Sequence, residues 1–185
     1  MPAGRRPLRL AVPAVSLVML ASPSLVPAKE LASGRAPAPP AQAYAIHIGN
    51  TATAHTLQLV LDGARARLRT PECQRVLDDF RDGAGRVLRE GLQATGQSPE
   101  GYLGIIVFYD GQSNLRCRRK GLLAVAAPGS RVVYVCPEGF ATMAHRNRAW
   151  AEATLIHEAL HTLGLGENPP SSSEITERVM QRCTP

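Results

Sequence analysis

Residues 154–170 read TLIHEALHTLGLGENPP, with His157, Glu158 and His161 at the centre. Histidines four residues apart lie one helical turn apart and point the same way, so both imidazoles can reach one tetrahedral metal ion. Glu158 falls about 100° further round the helix, beside such an ion, where a carboxylate can take a proton from water. Leu155, Ile156, Ala159, Leu160 and Leu163 give the same helix an apolar surface that would bury against a sheet and hold the ligands rigid. Gly164 can adopt the left-handed conformation that stops a helix and turns the chain back. That reversal carries Glu167 toward the histidines, and a carboxylate is an acceptable third ligand for zinc. The expected site is therefore Zn2+ on His157, His161 and Glu167, with Glu158 as general base. Other third ligands remain open: Glu174 or Glu177 from the next helix, or the distant His47, His55 and His145. Glu174 also reads as a helix cap, and Glu167 as a solvated loop carboxylate.

The run His157-Glu158-x-x-His161-x-x-Gly164-x-x-Glu167 resembles the metzincin branch of the zinc metallopeptidases, whose pattern is His-Glu-x-x-His-x-x-Gly-x-x-His. Every defined position matches except the last, where glutamate replaces histidine. The resemblance implies a zincin-like domain that hydrolyses peptide bonds, with peptide or protein substrates. It covers about eleven residues. Metzincins place a methionine turn below the zinc with a tyrosine soon after. Here Met180 is the sole downstream methionine and sits within an expected helix, while no tyrosine follows residue 134. The usual lower wall of the substrate cleft is therefore expected to be nearly absent. The rival expectation is a non-catalytic, zinc-bound zincin-like domain that binds or inhibits. Retention of Glu158 argues against it, because a purely structural site has no use for a base.

Outward from this helix, AHTLQLVLDGARARL (54–68) sets Leu57, Val60, Leu61, Ala64 and Leu68 on one helical stripe. TPECQRVLDDFRDGAGRVLREGLQATG (70–96) has Thr70 as cap and Pro71 at the first helical position. Its stripe of Val76, Phe80, Ala84, Val87, Leu88 and Leu92 predicts one long helix, interrupted in composition by Gly83 and Gly85. YLGIIVFYD (102–110) reads as a strand, and LLAVAAPGSRVVYVC (122–136) as two strands around Pro128-Gly129-Ser130. The segment 131–136 is the expected edge for an extended substrate. Asn147 caps the helix of 147–164, and Ser171 with Glu174 forms a capping box for a last helix. The order of elements predicts an α+β fold: N-terminal helices, a short mostly antiparallel sheet, the active-site helix and a short C-terminal helix.

Residues 1–28 carry Arg5, Arg6 and Arg9, then an apolar stretch over Leu10–Ala21 and small residues at Val26-Pro27-Ala28, the layout of an export signal. The apolar run falls short of the ~20 residues of a membrane span, so no stable membrane insertion is expected after cleavage. Residues 29–43 are rich in alanine and proline and read as a linker, leaving 44–185 as the folded domain. The first 43 residues contribute +4 of the net charge of +6. The domain itself is close to neutral, so the charge gives no support for nucleic-acid binding. A secreted or periplasmic location follows, and with it two disulfides from the four cysteines. Three pairings are open to four cysteines; the favoured one joins Cys117 to Cys136, which flank the expected hairpin, and Cys73 to Cys183, which would tie back the C-terminus.

Overall fold

The computed structural model describes residues 43–184. The expected signal and, apart from Ala43, the linker lie outside the described residues. Among these residues no helix is long and apolar enough to cross a membrane.

The chain forms an α+β domain around a small mixed sheet. Strand β1 (Ala45–His47) leads into helix α1 (Thr51–Leu68), capped by the Asn50 side chain, which accepts from the Thr53 amide. Short helices α2 (Pro71–Gln74), α3 (Val76–Asp79), α4 (Leu88–Gln93) and α5 (Pro99–Tyr102) follow, then strand β2 (Val107–Asp110). Strands β3 (Ala124–Ala126) and β4 (Val132–Val135) precede helices α6 (Pro137–Arg146), α7 (Arg148–Thr162) and α8 (Ser172–Cys183).

The sheet order is β1-β2-β4-β3. β1 with β2 and β2 with β4 run parallel, while only β3 with β4 is antiparallel. This corrects the expected mostly antiparallel sheet: the helices between β1 and β2 form a crossover, which returns the chain in the same direction. β4 is paired on both sides, so the expected substrate edge at 131–136 is interior; the edge strands are β1 and β3, and β3 is the one beside β4.

The stripe of α1 is buried as predicted, with Leu57, Val60, Leu61, Ala64 and Leu68 all in the core. α7 is buried almost all round and packs on α1, α6, α8 and β3. That environment fits a helix rich in alanine and leucine, and it immobilises any ligand the helix carries.

Two local expectations fail. Residues 71–92 do not form one helix: Phe80 is extended, Arg81 bridges Val87, and Ala84 is exposed. Asp82 Oδ1 accepts from the Ala84 and Arg86 amides, both at 2.9 Å, and Gly85 takes φ 81°. An aspartate that satisfies local amides beside two glycines outcompetes the helix. Residues 102–105 are likewise helical, because Ser98 caps and Pro99 starts α5, and the strand begins only at Val107.

Both expected disulfides are present. Cys73–Cys183 joins α2 to the end of α8 across 110 residues, and Cys117–Cys136 ties the loop before β3 to the end of β4.

Candidate metal centre

The sequence places both histidines on α7, and the Asn147 side chain caps that helix by accepting from the Trp150 amide at 3.1 Å. Its C-terminus ends in a Schellman arrangement. The Gly164 amide donates to His161 O at 2.8 Å, the Leu165 amide donates to Leu160 O at 3.2 Å, and Gly164 has φ 106°. A side chain at 164 would be strained by that backbone, and its Cβ would also stand 3.0 Å from Asp82 Cβ. The reversal brings the Leu165 carbonyl to 2.7 Å from His161 Nδ1. A carbonyl only accepts, so His161 carries its proton on Nδ1 and leaves Nε2 as a bare lone pair.

His157 Nε2 faces His161 Nε2 at 2.9 Å, and its Nδ1 lies 2.9 Å from Thr176 Oγ1 on α8. Two lone pairs at that distance repel unless one proton or one cation lies between them. Glu167 Oε1 completes the group at 3.3 Å from His161 Nε2 and 3.8 Å from His157 Nε2. Tetrahedral zinc, with bonds of ~2.0–2.1 Å, spaces its ligand atoms ~3.3–3.4 Å apart. The three observed separations straddle that value, so the donor set fits. His157, His161 and Glu167 are the group of metal-ligating side chains that the described residues bring together. Burial, with repulsion from His161 second, pushes the His157 imidazole down to about 3, which keeps it in the neutral form a metal requires.

The alternative ligands go elsewhere. Glu174 accepts from the Ser171 amide at 2.7 Å as the capping box predicts. Glu177 is exposed on α8 and lines a groove beside His157. His47 stacks on Tyr109 with ring centroids 4.9 Å apart, and His55 and His145 are exposed on α1 and α6.

Glu158 is buried, and its Oε2 has no hydrogen-bond partner among the described residues. Burial raises its carboxyl to about 8; the Glu167 charge adds to the rise, while the Ala126 amide and Arg116 oppose it. An unpartnered carboxylate oxygen beside the ligands is costly to fold, and its natural partner is water or a cation at the metal position.

Sequence reasoning missed Thr176, the Leu165 carbonyl and the Ala126 edge. Thr176 carries no signal of its own, since its role depends on how α8 crosses α7. The Leu165 contact is implicit in the Gly164 stop, because the helix end and the His161 partner are one turn. The Ala126 edge follows only from strand order.

No protein-family model matches this chain, and comparison with curated proteins and with solved structures gives no match. The functional reading therefore rests on the residues themselves.

Proposed function

We propose that this chain is an exported zinc peptidase, with His157, His161 and Glu167 as ligands and Glu158 as general base. One observation carries the reading: a buried carboxylate with an unpartnered oxygen stands beside three convergent donors in a metzincin-like spacing. Zinc, when bound, would supply Lewis acidity toward water and the scissile carbonyl.

The chain's own groups do the rest. Glu158 takes one proton from the attacking water as the new C–O bond forms, then gives it to the amine nitrogen as the C–N bond breaks. Burial raises that carboxyl in the metal-free chain, so the positive charge of a bound cation would be what returns it to the ionised form a base needs. The edge of β3 away from β4 runs past the same site at Ala124, just after Leu123, and an extended peptide would add to the sheet there with its backbone paired. α8 supplies the opposite wall, in place of a methionine turn, through Ser172, Thr176 and Met180. The two disulfides are compatible with the extracellular setting this proposal assumes.

The non-catalytic alternative keeps the metal and loses the chemistry. Burying Glu158 without using it would cost stability for no return, which favours the enzyme. The test is zinc per chain by elemental analysis, together with peptide hydrolysis by the wild type and by Glu158→Gln. One zinc in both proteins and hydrolysis only in the wild type is the expected result. Unchanged hydrolysis by Glu158→Gln would remove the base from the mechanism, and zinc without any hydrolysis would favour the binding domain.

A further inference from the structure

The groove between α7 and α8 encloses about 590 Å³ and opens directly beside His157 and Glu158. Trp150, Thr154 and His157 stand at i, i+4 and i+7 of α7, so one helix face leads from the expected ligand to an indole ring. Leu122 lines the groove on the strand side and Met180 on the α8 side. Trp150 lines the groove and keeps 39 % of its surface exposed, a large apolar side chain available to a ligand.

Glu177 stands on the same groove and is exposed. Its neighbours on α8 have partners: Glu174 is held by Ser171, while Arg178 and Arg182 reach Asp79 at 4.0 and 2.8 Å. Glu177 makes no ion pair among the described residues.

We propose that this groove selects a basic side chain, Lys or Arg, of an extended peptide, with the apolar stem on Trp150 and Met180 and the cationic head at Glu177. The inference rests on the peptidase reading and names its substrate class. A long aliphatic stem ending in a cation matches an apolar wall ending in a carboxylate, and the indole face adds a cation–π contact. A leucine would fill the wall and leave Glu177 beside an apolar group. An acidic side chain would meet the Glu177 carboxylate.

Trp150 is the sole tryptophan of the chain, so fluorescence excited selectively at tryptophan, clear of the four tyrosines, reports on this groove. Zinc-loaded Glu158→Gln protein is titrated with hexapeptides identical except at one position, occupied by Lys, Arg, Leu or Glu. The same series is repeated with the Glu158→Gln/Glu177→Gln protein, with zinc per chain measured in both. The Lys and Arg peptides should bind at least ten-fold tighter than the Leu peptide, with the Glu peptide weakest, and Glu177→Gln should bring Lys and Arg down to the Leu level. Equal affinities, an order that survives Glu177→Gln, or no binding at all would overturn the assignment. Wild-type hydrolysis of the same peptides separates the two ideas. Basic preference in binding without hydrolysis supports the groove and sinks the peptidase, whereas hydrolysis indifferent to the residue sinks the groove alone.

Discussion

Gly63 and Glu152 share one space: a Cβ built on Gly63 of α1 would overlap the Glu152 carboxylate of α7. The missing side chain lets the two helices approach, and the carboxylate then receives Arg67 Nε at 2.6 Å and Arg148 Nε at 2.9 Å. Both arginines reach further, Arg67 to Cys183 O and Arg148 to Leu59 O, each at 2.6 Å. One buried carboxylate thus ties the helix bearing the histidines to α1 and to the end of α8.

Gly63→Ala should therefore destabilise the domain, against the gain of about 0.5–1 kcal/mol that alanine normally brings to a helix interior. Its Cβ must displace a buried carboxylate from two cations, and breaking a buried pair typically costs about 3–5 kcal/mol. Urea denaturation should give a loss in that range, with Glu152→Ala similar. A Gly63→Ala midpoint equal to wild type would show that the helices can separate freely. Arg148→Ala should cost less, because that side chain is half exposed.

Thr176 should govern metal affinity through His157. Its Oγ1 lies 2.9 Å from Nδ1 and fixes the ring so that Nε2 faces the other ligands. Thr176→Val removes the hydroxyl at constant shape, and zinc affinity should fall about 10- to 100-fold, as it does when such orienting partners are lost. Thr176→Ser should keep it. Competition against a chromophoric chelator measures both, and equal affinity of the valine variant would mean that His157 needs no orienting partner.

The C-terminal disulfide should act on the same property. Cys73–Cys183 closes 110 residues and holds the end of α8, the helix that carries Thr176. Replacing both cysteines by alanine should cost roughly 4–5 kcal/mol by loop entropy, and zinc affinity should fall with it. Removing Cys117–Cys136, which closes 19 residues, should cost closer to 3 kcal/mol and leave zinc affinity unchanged. Differential scanning calorimetry with and without zinc separates the two.

Much of this was legible in the sequence, and the boundary is physical. The helix face of His157 and His161, the Gly164 stop and the Asn147 and Ser171 caps all follow from spacing or from single residues with one conformational use, whereas the disulfide pairing is the favoured one of three that four cysteines allow. What escaped depends on long-range pairing. Nothing local distinguishes β3 from β4 as the edge, and that choice is made by β2 inserting beside β4. The break at Phe80 was a local contest in which Asp82 and Gly85 defeated a good apolar stripe. Thr176 was invisible because its function exists only where α8 meets α7.

The Asp78–Arg89 pair gives a pH signature. Arg89 donates to both Asp78 oxygens, at 2.5 and 2.7 Å, and holds the carboxyl below its usual range against a small opposing effect of burial. A carboxyl depressed in the folded state contributes stability that is present above its unfolded value near 4 and is lost as the pH falls through the folded value. Asp78 is about half exposed, so the contribution should stay below about 1 kcal/mol. Asp78→Asn should lower stability at pH 7 by that amount and make the acid limb below pH 4 shallower. Parallel stability–pH curves for the two proteins would contradict it.

Glu167 sits on the turn that follows Gly164, 41 % exposed, while the two histidines are buried. If the turn places the third donor and the side chain only has to reach, the position should accept a different donor of similar length. Glu167→His should keep one zinc per chain, and Glu167→Ala should lose it or hold it far more weakly. A neutral third ligand would also leave a bound metal more positive and its water more acidic, so the acid-side limb of any hydrolytic activity should shift downward. Zinc retained by the alanine variant would place the third ligand elsewhere. Zinc lost by the histidine variant would mean that the carboxylate itself, through its charge, is what the buried pair of imidazoles requires.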